Sequence, residues 1–252
     1  MSRKLLILAI LFSVSFGITF IGCDDDDSPT EPTDNTNTIL LSEIFPMTVG
    51  NQWAMAYTDS SKEDDGSYSV SEATISIEVT GTISHVGHDG FIFHIQLNSN
   101  GELGEEDIYY YASGDSLYES ADGEAEWSWE EDIQGFSGKE VGDTLLWETE
   151  TSMDGDLELE ETDLLTIQSF SETITIAAGT FENCLVLKEE KFDFFRNNGT
   201  FDSGEHSIEY SYFAKGVGFV KSVDRDWDLA SETEDGTMIQ YEKEELTSYT
   251  VD

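Results

Sequence analysis

The chain has 252 residues, and its charge is its most unusual property: 54 Asp and Glu residues stand against 11 Lys and Arg residues, a formal net charge of −43. This negative field disfavours nucleic acid and anionic lipid surfaces as partners, because proteins bind both through basic surfaces. With 38% hydrophobic residues, 3 Pro and 2 Cys, the composition is that of a globular chain and excludes collagen-like and disulfide-rich proteins.

The first 22 residues have the pattern of an export signal. Arg3 and Lys4 precede an uncharged, mostly apolar run over residues 5–22, whose length alone leaves a membrane-spanning anchor open. Residues 20–23, FIGC, resemble the lipobox of bacterial lipoproteins. The resemblance implies cleavage before Cys23, a thioether-linked diacylglycerol on its sulfur and an acylated amine, and two or more acyl chains anchor a protein stably. We predict a signal peptide over residues 1–22 and lipidation at Cys23; the alternative is an uncleaved anchor that ends in a cysteine.

Residues 23–38 read as a tether between the lipid anchor and the rest of the chain. No apolar residue occurs from Asp24 to Thr38. The segment therefore has no apolar surface whose burial could offset the conformational entropy lost on folding. Its like charges and two prolines keep it extended. We predict a disordered acidic tether, with cation binding by the Asp run of residues 24–27 as the less favoured reading.

From residue 39 to residue 252, hydrophobic and polar residues alternate with a period of two, which predicts β-strands. We find no amphipathic helix of any length in this region. Tyr68 and Val70 are out of phase with the residues that follow them, which predicts a β-bulge near Ser71 and Glu72. The clearest alternating sets are Trp53, Met55 and Tyr57; Ala73, Ile75, Ile77, Val79 and Ile83; and Phe91, Phe93, Ile95 and Leu97.

Short polar and glycine-containing segments separate these runs. We predict turns at residues 88–90, HDG, and at residues 234–236, EDG, because glycine supplies the positive φ that tight turns need. The number of runs and their short links predict an all-β fold: a single antiparallel domain over residues 39–252 with roughly a dozen strands. A strongly curved sheet, a barrel-like sheet and a sandwich all fit this pattern.

Two segments in this domain are similar to each other. Residues 49–53, VGNQW, and residues 141–147, VGDTLLW, both read as Val-Gly-polar before a strand that carries Trp. A recurring turn and a duplicated half explain this similarity equally well.

The acidic residues alternate with apolar ones in rows such as residues 154–160, DGDLELE, and residues 224–228, DRDWD. Because residues i and i+2 of a strand share a face, each row places carboxylates side by side. We predict that these rows mostly face outward and form a solvated acidic surface that opposes aggregation. Calcium binding by clustered oxygen ligands is the alternative, although residues 224–228 lack the glycine and glutamate that an EF-hand loop requires.

No catalytic or cofactor-binding constellation stands out, so we name no catalytic, cofactor-binding or metal residues and expect no cofactor. Cys184 has no partner for a disulfide once Cys23 is lipidated, and we predict a buried small hydrophobe rather than a nucleophile. His85, His88 and His94 have a spacing that zinc would accept, but the turn predicted at residues 88–90 already accounts for His88.

Three segments of this region have distinctive sequences: residues 45–53, FPMTVGNQW; residues 176–186, IAAGTFENCLV; and residues 212–221, YFAKGVGFVK. They resemble segments of a group of bacterial envelope lipoproteins, the TapB-like family, whose common domain has no known function. They occur in the family's order and span most of the region after residue 39. The resemblance implies an all-β domain, such as a curved half-barrel of the kind found in lipoprotein carriers, and it implies no catalytic residues and no known ligand.

These observations lead to one functional hypothesis and one alternative. The hypothesis is a lipid-anchored cell-envelope protein whose non-catalytic β domain binds a partner or an apolar ligand. An apolar cavity of several hundred Å³ would favour the ligand, and a filled interior would favour a surface interaction. The alternative is an envelope hydrolase that acts on polysaccharide or peptide through paired carboxylates. The outer membrane, on its periplasmic or its outer face, is favoured over the inner membrane.

Overall fold

A computed structural model describes residues 41–63, 65–85, 87–113, 116–121, 130–133, 138–154, 157–231 and 234–251. The predicted signal peptide, Cys23 and the predicted tether lie outside these residues.

The described part of the chain consists of one short helix, α1, and twelve β-strands. The helix covers Leu41–Ile44. The strands are β1 (Gln52–Lys62), β2 (Tyr68–His85), β3 (His88–Ser99), β4 (Glu102–Ser113), β5 (Ser116–Ala121), β6 (Glu130–Ile133), β7 (Thr144–Asp154), β8 (Leu157–Ile176), β9 (Gly179–Asn197), β10 (Thr200–Ala214), β11 (Gly218–Ser231) and β12 (Glu234–Thr250).

All twelve strands form one antiparallel sheet in the order β6-β5-β4-β3-β2-β1-β12-β11-β10-β9-β8-β7. Consecutive strands are neighbours throughout each half of the chain, and β1 joins the two halves by pairing with β12. The prediction of an all-β, antiparallel domain of roughly a dozen strands is confirmed.

The sheet curls but does not close. One buried cluster contains Ile108 of β4 and Leu117 of β5 together with Ile167 of β8 and Leu187 of β9, which are far apart in the strand order. Curvature is what brings both ends of the sheet to the same core. We call the face that carries this core the inner face. Of the predicted arrangements the structure is therefore a strongly curved single sheet and not a sandwich.

Helix α1 lies inside the curl. Leu41 and Ile44 are each about 1% exposed and belong to the cluster that contains both ends of the sheet. The segment is held to the β10–β11 turn by an ion pair of 2.6 Å between the Lys215 Nζ and the Glu43 Oε1. Because α1 has only one turn, it produces no periodic pattern in the sequence, and the sequence analysis missed it.

The two similar segments have the same backbone structure at the start of β1 and of β7. The N–H groups of Gly50 and Gly142 donate to the carbonyl oxygens of Val79 and Ile167, each at 2.8 Å. Val79 and Ile167 donate back to the carbonyls of Asn51 and Asp143. The same turn thus begins each six-stranded half of the sheet.

Three local predictions were wrong. The pairing of β1 with β2 is unbroken from Gln52–Glu78 to Lys62–Tyr68, so no bulge occurs near Ser71; Tyr68 and Val70 are instead exposed. The predicted turns at residues 88–90 and 234–236 lie inside strands, because β3 begins at His88 and β12 begins at Glu234. Gly90 pairs with Ile83 in the β2–β3 ladder and is a strand residue.

Gly218 allows the chain to pass close to α1 at the start of β11. Its φ is +98°, and a Cβ atom there would lie 3.4 Å from the Ile44 carbonyl oxygen and 3.4 Å from the Pro46 Cδ. Gly50 has the same φ of +98° with no atom within 4 Å of such a Cβ. Comparing alanine substitutions at Gly50 and Gly218 therefore distinguishes the cost of backbone strain from the cost of crowding by neighbouring atoms.

We predict that Gly50→Ala lowers the free energy of unfolding by about 1–2 kcal/mol, the usual cost of a positive φ in a residue with a Cβ. Gly218→Ala should lower it somewhat more, because its methyl group would also lie 3.4 Å from the Ile44 carbonyl oxygen and the Pro46 Cδ, at the near edge of van der Waals contact. Urea denaturation followed by circular dichroism measures both. Equal losses in the two variants would contradict the close packing of β11 on the segment after α1.

Candidate functional site

The inner face surrounds an open pocket with an almost wholly apolar lining. Its free volume is about 100 Å³, and about 840 Å³ when the solvent at its open mouth is included. Residues from α1 and the segment after it, from β1 to β5 and from β10 to β12 form the lining. We call this the apolar pocket: Ile44, Phe45, Pro46, Met47, Trp53, Met55, Ile77, Phe93, Ile95, Ile108, Tyr110, Leu117, Phe213, Gly218, Phe219 and Glu244.

Strand alternation places these side chains in the pocket. Trp53 and Met55 on β1 pair with Ile77 and Ile75 on β2, and Ile77 pairs with Ile95 on β3. Paired residues of antiparallel strands point to the same side, so this side of the sheet presents a continuous apolar surface. The alternating sets found in the sequence identify this surface with one exception. A register shift between Val79 and Gly81 turns Ile83, predicted to share the face of Ile77, to the other side of the sheet.

Aromatic side chains make the pocket wall rigid. The Trp53 Nε1 donates a hydrogen bond of 2.6 Å to the Val217 carbonyl oxygen, which satisfies the one polar group of this buried ring. The Trp53 ring stacks on Phe93 with centroids 6.3 Å apart, and Phe93 meets Tyr110 edge to face at 5.0 Å. Because these rings pack against one another, their side chains have little freedom to move into the apolar pocket and fill it.

Glu244 is the only carboxylic acid among the lining residues. It lies on β12 directly across from Tyr57 on β1 and Ser222 on β11, and it is 4% exposed. Its Oε2 atom is buried and has no hydrogen-bond partner. Burial raises the pKa of Glu244 to about 8, and the neighbouring Glu242 carboxylate acts in the same direction.

Next to Glu244 the inner face becomes acidic. Five neighbouring strands each contribute one acidic residue, and these five residues lie directly opposite one another across the strands. On β12 this line passes through Glu242, two residues from Glu244. We call this the carboxylate row: Glu189 of β9, Glu209 of β10, Asp224 of β11, Glu242 of β12 and Asp59 of β1. Like charges directly opposite one another in a sheet are destabilising, so this row needs compensation.

Hydrogen bonds supply part of that compensation. The Lys191 Nζ lies 2.8 Å from the Glu189 Oε1. Hydroxyl groups also donate to the row: the Ser211 Oγ donates to Glu209 at 2.9 Å and the Ser207 Oγ donates to Asp224 at 3.0 Å. On β12 and β1, Gln240 donates to Glu242 and Ser61 donates to Asp59.

Protonation supplies the rest. Burial, followed by the charges of Asp224 and Glu189, raises the pKa of Glu209 to about 8. Burial is also the main reason that the pKa of Glu242 is raised to about 7. Asp226, two residues beyond Asp224 on β11, has its pKa raised to about 7 by burial and by the Asp224 charge. At neutral pH the row is therefore partly uncharged.

This position of the acidic residues corrects the sequence analysis. Asp224 and Asp226 were predicted to face outward into solvent, but they lie on the inner face and are half-buried. From the other predicted row, Glu158 and Glu160 both contact the Arg196 guanidinium, at 3.5 and 2.7 Å. Residues 155 and 156 of that row lie outside the described residues.

The histidines and acidic residues do not assemble a metal site in the part of the chain that the structure describes: no three or more His, Cys, Asp or Glu residues are placed to hold an ion there. His85 and His88 pair at the end of the β2–β3 hairpin, while the His94 Nδ1 contacts the Asp107 Oδ1 at 2.7 Å. Cys184 is fully buried, and burial raises its pKa to about 11, which confirms the prediction of a buried thiol.

Sequence reasoning missed Glu244 and every member of the carboxylate row except Asp224, which it placed on the wrong face. The pattern Gln240, Glu242, Glu244 and Leu246 lies on one face of β12, and three of these four side chains are polar. A polar majority normally marks the outward face, so the alternation alone assigns these residues to the wrong side. Leu246, which is fully buried, is the one residue of this set that indicates the inner face.

Within the described residues, no helix has both the length and the apolar character needed to cross a bilayer.

Comparison with known proteins gives similar folds but no family. No protein-family model matches the chain, and no curated protein is a significant match. A "putative lipoprotein" from Parabacteroides distasonis is similar with 14% identity and a TM-score of 0.49, over 82% of this chain and 98% of that chain. A "putative exported protein with YmcC-like fold" from Bacteroides fragilis has 14% identity and a TM-score of 0.47, over 82% and 99% of the two chains.

A LolA superfamily protein from Nitrosomonas europaea is more distant, with 8% identity and a TM-score of 0.22 over 84% of this chain and 89% of that chain. All three TM-scores are below 0.5 and all identities are below 25%, so none of these structures assigns a function to the chain. The resemblance to the TapB-like family is not confirmed by any of these matches.

The raised pKa values predict an unusual dependence of stability on pH. Between about 4.5, the ordinary pKa of Glu, and about 8, the folded-state pKa of Glu209 and Glu244, the folded protein binds more protons than the unfolded chain. The free energy of unfolding should therefore fall as the pH rises through this range. We expect a higher melting temperature near pH 5.5 than near pH 8.5, measured by differential scanning calorimetry.

A pair of variants tests the origin of this effect. Glu209→Gln removes a titrating group from the carboxylate row and should flatten the pH dependence. Glu245→Gln, on the outer face of β12 beside Lys221 and Lys243, should leave it unchanged. A melting temperature that rises from pH 5.5 to pH 8.5 would contradict the burial of these carboxyl groups.

Proposed function

We propose that the chain is a lipid-anchored cell-envelope protein whose β domain binds an apolar ligand without catalysing a reaction. The observation that carries this proposal is the apolar pocket, which side chains leave unfilled although its wall is apolar. Concave, mostly apolar sites with few polar groups are typical of small-molecule binding. The free volume of about 100 Å³ is smaller than the several hundred Å³ expected for a ligand cavity, but the interior is also not filled. We favour a ligand that inserts in part over a surface partner, because the pocket is open and its wall is apolar.

The size of the pocket limits what it accepts. Another protein's cavity on the order of 150 Å³ holds a benzene molecule. A free volume of about 100 Å³ therefore suits a short alkyl chain or a single ring, and the open mouth leaves room for a longer chain to extend outward. We propose a ligand that enters the sheet with one apolar end only.

The anchor supports a place in the cell envelope. Cleavage before Cys23 and its lipidation would leave residues 23–38 as a tether between the membrane and the β domain. A flexible segment of this kind keeps the domain near the bilayer while leaving it free to rotate. We propose the outer membrane, on its periplasmic or its outer face, as the site of attachment.

The hydrolase alternative finds less support in the geometry. Glycoside hydrolysis needs two carboxyl groups on either side of a substrate cleft, roughly 5–10 Å apart. Among the lining residues of the apolar pocket there is one carboxyl group, that of Glu244. Other carboxyl groups also face inward, among them Glu119 of β5 and the carboxylate row, but they lie outside this lining. Glu119, Glu209 and Asp224 accept hydrogen bonds from neighbouring side chains.

We predict that the full-length protein, purified without added lipid, carries an apolar compound that organic extraction and mass spectrometry detect. Ile77→Phe, which adds a ring to the pocket wall, should lower the recovered amount several-fold. Ser76→Phe adds the same ring to the opposite face of β2 and should not. Extraction that returns nothing from the unmodified protein would refute ligand carriage.

We predict that Cys23→Ser moves the protein from the membrane fraction to the soluble fraction, because the acyl chains can no longer be attached. Cys184→Ser, at the other cysteine, should leave the protein in the membrane fraction. Cell fractionation and metabolic labelling with palmitate measure both. Retention of Cys23→Ser in membranes would indicate an uncleaved anchor instead.

A further inference from the structure

Glu244 is a carboxylic acid in a pocket whose other lining residues are almost all apolar. It is almost completely buried among aromatic and aliphatic side chains, and its Oε2 has no hydrogen-bond partner. A buried polar atom without a partner costs free energy, and native proteins rarely keep one. The other carboxyl groups nearby show that this chain can satisfy an inward-facing acid, since Glu209 and Asp224 both accept hydrogen bonds from serine. The unsatisfied oxygen therefore points to a partner supplied from outside the protein.

The chemistry of that partner follows from the position of Glu244. In its ionised form a carboxyl group only accepts hydrogen bonds, so a partner that stabilises this form carries an N–H or O–H donor. Anionic partners are disfavoured, because Glu242, two residues away on the same strand, and the rest of the carboxylate row would repel them. A cationic donor gains both the hydrogen bond and the attraction of the row, and charge-assisted hydrogen bonds are about twice as strong as neutral ones.

The inner face changes from apolar to acidic at Glu244. On one side lie the rings of Phe93 and Phe219 in the apolar pocket, and on the other side lies the carboxylate row. A molecule that fits this boundary has an apolar part on the side of the rings and a positive charge at the edge of the row. The net charge of the chain, −43, acts in the same direction, since it attracts cations to the protein.

We infer that the apolar pocket binds an amphiphile with a protonated amine head group, and that Glu244 holds this head group through its Oε2. The inference rests on the proposed function, because it requires that the pocket take an apolar ligand. It adds the class of the ligand and the residue that selects it.

Binding of an amine should release a proton from the protein. Burial raises the pKa of Glu244 to about 8, so its carboxyl group is largely protonated at neutral pH when no amine is bound. An ammonium group beside it favours the ionised form, so the carboxyl proton passes to the buffer when the amine binds. The titratable groups that interact with Glu244 are Glu242 on the same strand, Tyr57 on β1 and Glu209 on β10.

The test compares short, water-soluble probes with the same alkyl chain. Isothermal titration calorimetry on the full-length protein at about 150 mM NaCl measures the affinity for hexylamine, hexanol and hexanoate. Repeating the hexylamine titration at neutral pH in two buffers of different ionisation enthalpy gives the number of protons released. The variants are Glu244→Gln and, as a matched control on the outer face of the same strand, Glu245→Gln.

We expect hexylamine to bind about tenfold more tightly than hexanol, hexanoate to bind most weakly, and hexylamine binding to release a fraction of a proton. Glu244→Gln should weaken hexylamine about tenfold, leave hexanol within about threefold and abolish the proton release, while Glu245→Gln should change none of these values.

Two results would overturn the inference in different ways. If hexanol binds to the unmodified protein but hexylamine binds no better, the head-group role of Glu244 is wrong and the apolar pocket remains a ligand site. If none of the three probes binds, the proposed function fails as well. Because the comparison of probes on the unmodified protein decides both points, the test does not depend on the folding of the Glu244→Gln variant.

Discussion

The cross-strand register of the antiparallel meander decides which side chains face the inside of the curl. Trp53 and Met55 reach the apolar pocket because β1 pairs in register with β2, and Glu244 reaches it because β1 also pairs with β12. A slip of one residue on β12 would turn Glu242 and Glu244 outward and bring Lys243 and Glu245 inside. The apolar core around Leu246 and α1 opposes such a slip, because the slip would expose a fully buried leucine.

The carboxylate row is where stability and the proposed ligand binding conflict. Five acidic side chains in register repel one another, and a sheet built only for stability would place apolar residues there. Serine hydroxyls, Lys191 and partial protonation reduce the repulsion, but the Glu244 Oε2 still has no partner. Proteins retain such groups at sites where a ligand or a reaction uses them. Under the proposed function, a bound ligand supplies the partner of this oxygen.

The apolar pocket, the carboxylate row and the predicted anchor fit a single arrangement. The lipid at Cys23 and the tether would hold the β domain within reach of a bilayer, where amphiphilic molecules are concentrated. An amphiphile that leaves the bilayer would encounter an acidic domain whose apolar pocket is lined by aromatic rings and includes Glu244. Cationic amphiphiles would be attracted to this pocket, and anionic lipids would be repelled from it by the same charges.

The sequence alone determined the type of fold and much of the pocket wall. The alternation of Trp53, Met55 and Tyr57 is a local property that specifies a strand and a shared face, and the burial of Cys184 follows from its apolar neighbours. It did not determine which face is the inner one for Asp224, Glu242 and Glu244, because their carboxyl groups normally mark the solvent side. Nor did it locate the turns at residues 88–90 and 234–236 correctly, because a glycine also fits inside a strand. Only the tertiary structure decided these points: the curl of the sheet around α1 depends on contacts between distant strands, and those contacts set the environment that the acidic side chains face.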